Sequence, residues 1–322
     1  MIVLTGSSGF IGLHTKAALI AAGLRVRVCV RRSAESVTPD MDSIVVPDIG
    51  IESEWPEKIA GARCILHLAG SAHSDAAGDP RKEFESRRTN VTGTDRLARA
   101  AIEAGVSRFV FVSSIGVNGS HTRSGPFTER DAPAPSDFYS STKYDAELAL
   151  HRSCDESSMQ LVVIRPTLVA GRGAPGNLQR LVRIIRSGFP VPIIGSGASR
   201  SLVGVRSLAD LLVLACNHPA AAGRTFLAAD DPPLPFADIA IEIAQGMQRK
   251  VRLLKLPRTP LKALALLSGR RRDFARLGQS LVVDSSAARE TLGWQTRIPI
   301  HDELRETGAA ARPPAKPLAD HS

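Results

Sequence analysis

A chain of 322 residues with 43% hydrophobic content can bury a sizeable core, as one large α/β domain or as a domain with an appended lobe. Its formal net charge of +9 runs along the whole sequence, and with two Tyr, two Trp and no binding motif the chain argues against a nucleic-acid partner; anionic small molecules such as nucleotide diphosphates suit that charge. Cys29, Cys64, Cys154 and Cys216 stand singly in apolar runs without metal-ligand spacing, no run approaches the ~18–20 apolar residues of a membrane span, and the N-terminus enters a strand directly, so a metal site, a transmembrane segment and a signal peptide are excluded and a cytoplasmic setting is expected.

Residues 1–4 form a short apolar strand. The turn Gly6-Ser7-Ser8-Gly9-Phe10-Ile11-Gly12 follows at once, and Leu13, Ala17, Ala18 and Ile20 then recur at helical spacing up to Gly23. Three glycines three apart, between a strand and a helix, let backbone approach a pyrophosphate at a helix N-terminus. A dinucleotide site is therefore expected at Gly6, Ser8, Gly9, Phe10, Ile11 and Gly12. The second strand, 24–30, ends in Arg31, Arg32 and Ser33 where an Asp or Glu commonly holds the ribose hydroxyls of NAD. Two guanidiniums suit a 2′-phosphate, so NADP(H) is favoured over NAD(H).

Residues 43–49 read as a third strand ending in Pro47, Asp48 and Ile49, where Asp48 either caps a turn or accepts a hydrogen bond from the adenine amine. Residues 63–68 read as a fourth, running into Leu68, Ala69 and Gly70 and on to His73. A single long helix is expected over 81–104, carrying Asn90. A fifth strand, 109–113, delivers Ser113 and Ser114 to the C-terminal edge, where open parallel sheets bind ligands. Alternating strands and helices imply a doubly wound parallel sheet.

Pro135 and Asp137 then introduce a helix containing Tyr139-Ser140-Ser141-Thr142-Lys143. Residues four apart share a helix face, so Tyr139 and Lys143 project side by side. A phenol titrates near ~10, and an adjacent ammonium favours its phenolate, which would let Tyr139 exchange protons at neutral pH.

TGSSGFIG (5–12), Asp48-Ile49, HLAG (67–70), NVTGT (90–94), VSSIGVNG (112–119), YSSTK (139–143) and IRPTLVAG (164–171) together resemble the extended short-chain dehydrogenase/reductases of the NAD-dependent epimerase/dehydratase superfamily. The resemblance runs almost continuously through the first half. It implies Ser114 as the hydroxyl that polarises the reacting oxygen, Tyr139 as acid/base and Lys143 as its electrostatic partner and ribose contact. It also places Pro166 and Thr167 beside the nicotinamide, and His73, Ser114, Asn177, Arg200 and Arg276 on a nucleotide-sugar substrate. The whole chain is similar to bacterial UDP-sugar 4-keto reductases that form UDP-N-acetylquinovosamine, and to UDP-glucose 4-epimerase-like proteins.

This implies an α/β Rossmann domain over residues 1–170, with a returning segment at about 203–230. A smaller C-terminal α/β substrate lobe takes residues 171–202 and 231–310, and residues 311–322 form an Ala- and Pro-rich tail. The segment 257–272, a short apolar helix with Arg270-Arg271-Arg272, reads as a lobe helix with a solvated basic end, with peripheral membrane contact as the alternative. A homodimer through the helices at 81–104 and 139–150 is the expectation by analogy with relatives.

Ile115-Gly116 stand where dehydratases of this kind carry Asp-Glu, which disfavours dehydration. An epimerase retains its cofactor, usually NAD, whereas a reductase consumes NADPH. The arginines after the second strand therefore point to NADPH-dependent reduction at C4 of a UDP-linked 4-keto-6-deoxy sugar for surface polysaccharide. A UDP-sugar 4-epimerase with bound NAD stays open, as do a reductase of a non-nucleotide carbonyl compound and a non-catalytic NADP-binding protein.

Overall fold

In the computed structural model, residues 1–31, 42–46, 48–51, 54–71, 78–194, 198–256 and 279–311 are described. Seven strands make one parallel sheet: β1 (Ile2–Thr5), β2 (Val26–Val30), β3 (Ser43–Val45), β4 (Cys64–His67), β5 (Arg108–Val112), β6 (Gln160–Pro166) and, much later in the chain, β11 (Thr225–Ala228). Their order is β11-β6-β5-β4-β1-β2-β3, with every neighbouring pair parallel. The order reverses between β1 and β4. A crevice at such a reversal, beyond the strand C-termini, is where open α/β sheets take ligands.

β1, β4 and β5 are buried on both sides, which is why they read as unbroken apolar runs rather than as alternations. One face of the sheet is covered by helix α1 (Phe10–Ala21), through Leu19, and by α7 (Val205–Asn217), through Leu208, Leu211, Leu212 and Ala215. The opposite face packs on Trp55, on Leu97, Ala98 and Ala101 of α4 (Gly93–Glu103), and on Ala146 and Leu150 of α5 (Phe138–Asp155). All four cysteines are buried thiols outside any disulfide. No helix among the described residues is long and apolar enough to cross a membrane.

The helix expected over 81–104 is three pieces. Asp79 caps α3 (Pro80–Arg87) by accepting from the Arg81 and Lys82 amides, a wider π turn takes Arg88–Thr92, and α4 follows. Such turns are single-turn bulges within helices and frequently mark functional sites. Here the extra residue swings Asn90 inward until it is 2% exposed.

A second core lies beyond β7 (Leu168–Ala170), β9 (Ser199–Arg200) and β10 (Leu202–Gly204). It comprises α6 (Asn177–Ser187), α8 (Phe236–Gly246), α10 (Ile300–Ala309) and the parallel pair β8 (Val191–Ile194) and β13 (Leu253–Leu256). α6 buries Leu178, Leu181, Val182 and Ile185, an i, i+3, i+4, i+7 stripe. The segment 203–230 then passes back to the first core, where α7 covers a face of the sheet and β11 adds its last strand. The segment 257–272 and the tail from 312 lie outside the described residues.

Candidate active site

The turn after β1 is dictated by closeness. Gly6 has φ +71°, and a Cβ on it would stand 2.7 Å from the Ala69 nitrogen, so the loops after β1 and β4 touch across the crevice. A Cβ on Gly12 would meet the Gly6 carbonyl oxygen at 2.0 Å. α1 begins after Gly9 with no side chain capping its free N–H groups. An uncapped N-terminus under a glycine turn suits a diphosphate, and these residues fit a dinucleotide. Ser113 agrees: its buried Oγ has no hydrogen-bond partner among the described residues.

The ends of β4 and β5, the π turn and α5 interlock around Lys143. Its Nζ donates to the Val112 carbonyl at 2.9 Å and stands 4.6 Å from the centre of the Phe111 ring. A Cβ on Gly70 would sit 3.3 Å from that Nζ and 3.2 Å from Asn90 Oδ1, so the β4 loop passes close between them. Asn90 Oδ1 accepts from the Ser71 amide (2.6 Å), and its Nδ2 donates to Ser71 O and to Thr142 Oγ1, both 3.0 Å. Ser114 accepts from the Gly116 amide at 3.1 Å and caps a short 3₁₀ turn, Ile115–Val117. A Cβ on Gly116 would overlap Ser140 Oγ at 2.2 Å, which seats the Ser114 turn on the residue following Tyr139. Ser114, Lys143, Gly70 and Asn90 thus gather at one sheet edge, with Tyr139 one helical turn before Lys143 on α5.

α5 starts where Asp137 accepts from the Ser140 amide at 2.8 Å, as its cap position predicts. The expected phenolate, however, is not found. Burial, then the Asp137 carboxylate, push the Tyr139 phenol up to about 12. The ammonium meant to oppose this is turned to the Val112 carbonyl and the Phe111 ring. Burial also pulls Lys143 down to about 8, against the raising influence of Glu147. At neutral pH the site holds a protonated phenol, the form that can give a proton to an oxygen.

Two supports were not legible as site residues. Glu147, one turn beyond Lys143, forms a buried fork with Arg165 of β6 (Oε1–Nε 3.0 Å, Oε2–Nη2 2.5 Å), and Arg165 Nη1 donates to Asn118 Oδ1 at 3.0 Å. This clamps α5 to the sheet and to the residue after the 3₁₀ turn. His67, fully buried at the end of β4, bridges Thr5 Oγ1 (2.7 Å) and Thr94 Oγ1 (3.0 Å), tying the glycine turn to α4. Burial and then the Lys143 charge depress its imidazole to about 3. The unfolded chain therefore binds a proton that the folded one refuses between about 6.5 and 3. Stability carried by neutral His67 is full above about 6.5 and lost as the pH falls toward 3. Urea denaturation is expected to show that decline, and a His67→Gln variant to lose several kcal/mol of it; an unchanged pH slope would refute the assignment.

The remaining predicted positions are more dispersed. Asp48 spends its carboxylate on the Gly50 amide (2.8 Å) and Arg88 (2.6 Å), and Ile49 packs against Gly93. Thr167 directs both amide and hydroxyl to the Ala228 carbonyl at 3.0 Å, just past Pro166 at the end of β6. Arg31 is exposed after β2. Asn177 opens α6 and is exposed, while Arg200 lies on β9, paired with Leu234. Arg32, His73 and Arg276 lie outside the described residues. Among the described residues no group of acids, His and Cys could hold a metal ion.

The sequence profile of the NAD dependent epimerase/dehydratase family matches residues 2–229. A UDP-glucose 4-epimerase of Vibrio cholerae is 35% identical over 315 residues, spanning 96% of this chain and 94% of its own. A dihydroflavonol 4-reductase of Hordeum vulgare is 30% identical over 261 residues, 71% of each chain. Among solved structures, UDP-glucose 4-epimerase of Thermotoga maritima with UDP-glucose shares the fold at a TM-score of 0.78, with 22% identity over 96% of this chain and 97% of that one.

Proposed function

The chain belongs to the NAD dependent epimerase/dehydratase family and is an NAD(P)-dependent enzyme of the extended short-chain dehydrogenase/reductase type; from that premise we propose that it uses NADPH to reduce C4 of a UDP-linked 4-keto-6-deoxy sugar. The observation that carries this reading is Arg31, exposed at the end of β2 and followed by Arg32, where retained NAD would call for an acid. Ile115-Gly116 after Ser114 lack the acid and base that dehydration needs.

Gly6, Ser8, Gly9, Phe10, Ile11 and Gly12 would hold the diphosphate, Arg31 and Arg32 the 2′-phosphate, and Asp48 and Ile49 the adenine end. Leu68, Ala69, Gly70, Asn90, Ser113, Pro166 and Thr167 would line the nicotinamide side. The bound cofactor supplies a hydride to the carbonyl carbon. Ser114 donates a hydrogen bond to the carbonyl oxygen, and Tyr139 passes its phenolic proton to that oxygen as negative charge develops on it. Lys143, one helical turn beyond Tyr139 and held on the Val112 carbonyl, would supply positive charge to the site as the phenolate forms. Asn177, Arg200, His73 and Arg276 are assigned to the UDP-sugar. Assembly as a homodimer and a place in surface-polysaccharide synthesis belong to the same proposal.

The test is turnover of a UDP-4-keto-6-deoxy-N-acetylhexosamine, followed by NADPH and NADH absorbance in parallel. Stoichiometric NADPH oxidation supports the reductase. The Vibrio cholerae relative favours a second reading, a UDP-sugar 4-epimerase, for which UDP-N-acetylhexosamines would interconvert without net oxidation. The Hordeum relative keeps a non-nucleotide carbonyl substrate in view; absence of thermal stabilisation by UDP would favour that reading over either. Arg31→Ala is expected to lower kcat/KM with NADPH about 10–100-fold and to leave NADH little changed, the loss of one charge-assisted contact. Equal losses with both cofactors would remove Arg31 from the 2′-phosphate.

A further inference from the structure

Two stretches of the lobe, distant in sequence, meet on one surface. α6 exposes Arg180, Arg183 and Arg186, and after α8 the chain returns through Arg249, Lys250, Arg252 and Lys255, all exposed. Arg249 Nη1 donates to the Arg186 carbonyl at 2.7 Å, and the Val191 amide donates to the Arg252 carbonyl at 2.8 Å. β8 and β13 then continue side by side from the Val191–Leu253 pair. Neither residues 176–190 nor residues 247–256 contain an acid, so these two adjoining stretches carry seven exposed cations, with Arg186 and Arg249 in direct contact, in a chain whose net charge is +9. Charge that looks scattered along the sequence is collected by the fold.

Apolar side chains stand among these cations. Phe189 is 71% exposed, Leu254 48% and Ile184 38%. The core beneath is already filled by Leu178, Leu181, Val182 and Ile185, so folding gives Phe189 nothing to cover. Cations alone would keep a protein soluble, and a single exposed Phe is unremarkable. Arginines flanking exposed aromatic and aliphatic side chains match a surface seated at lipid-headgroup level, with charge on phosphates and an apolar ring below them.

We infer that this face docks the enzyme on an anionic bilayer, with Phe189 inserted and Arg183, Arg186, Arg249 and Arg252 against headgroup phosphates. Asn177 opens the same helix, so docking restrains the lobe rather than the seven-stranded sheet. The inference does not depend on which carbonyl compound is reduced.

The test is co-sedimentation of the full chain with phosphatidylcholine vesicles, with and without about 30% phosphatidylglycerol, at ~0.1 M salt. The protein is expected to pellet only with the anionic vesicles. Each surface cation is worth about fivefold in affinity, so Arg183→Glu with Arg186→Glu is expected to weaken binding at least about 25-fold. Phe189→Ser is expected to weaken it about tenfold without altering its salt dependence. Both variants should keep the parent's thermal midpoint and its stabilisation by NADP+, which separates lost docking from lost folding. Failure to pellet with anionic vesicles would overturn the inference. So would Phe189→Ser binding as tightly as the parent while RNA competes the vesicles away, which marks a generic polyanion surface.

Discussion

Tyr139→Phe is expected to cut turnover by about 10²–10⁴-fold, the usual worth of a positioned general acid, while dinucleotide affinity stays near the parent value. The phenol, held at about 12 by burial and Asp137, is protonated across the working range. Reduction of a carbonyl needs a proton at its oxygen, and Phe keeps the ring while removing the phenolic hydrogen. Stopped-flow turnover with cofactor titration by fluorescence separates the two effects. Near-normal turnover in the variant would move proton donation to another group, with Ser114 the next to examine. Lys143, lowered to about 8, adds a pH dependence: its positive charge is lost as the pH rises through that value, so activity relying on that charge should decline on the alkaline side.

The second large effect is on stability. Glu147→Ala leaves the Arg165 guanidinium buried (6% exposed) with Asn118 as its remaining side-chain partner in the fork. Breaking a buried pair from one side typically costs about 3–5 kcal/mol, because the surviving charge keeps its desolvation penalty. Urea denaturation should show that loss, and Glu147→Ala combined with Arg165→Met should recover much of it. Additive losses in the double variant would mean that each residue acts through packing and not through the pair. Turnover is expected to fall as well, since the fork joins the helix of Tyr139 and Lys143 to Asn118 behind the Ser114 turn.

Much of this was readable in the residues. The parallel sheet follows from unbroken apolar runs, because strands covered on both faces need no polar alternation. The glycine turn was legible because Gly6 and Gly12 stand where backbone meets backbone, and Asp137 because a carboxylate before a helix has one obvious task. The π turn was not legible. Residues 81–104 read as a continuous helix, and the inserted residue that turns Asn90 inward leaves no trace in periodicity. Helical spacing correctly put Tyr139 and Lys143 on one face, yet could not reveal that β5 offers the ammonium a carbonyl and a ring. Glu147 carried a usable signal, an acid among apolar helix positions four residues after Lys143; its partner, 18 residues further on in another element, carried none. His67 looked like the end of an apolar strand because both of its hydroxyl partners come from elsewhere in the chain.

The late arrival of β11 governs how the chain can be divided. The sheet's seventh strand and the helix covering one face of β1 and β4 come from residues 205–228, after the polypeptide has already made its excursion through α6 and β8. A chain cut after residue 170 would present β6 as a bare, wholly apolar edge from Leu161 to Ile164 and would uncover Leu4, Leu66 and Val162. Such an edge recruits other copies. The nucleotide-binding half is therefore not a portable module: on the ribosome it must wait until residues 171–202 of the lobe and then 203–230 have emerged, and protein engineers who want it alone must rejoin 203–230 to it.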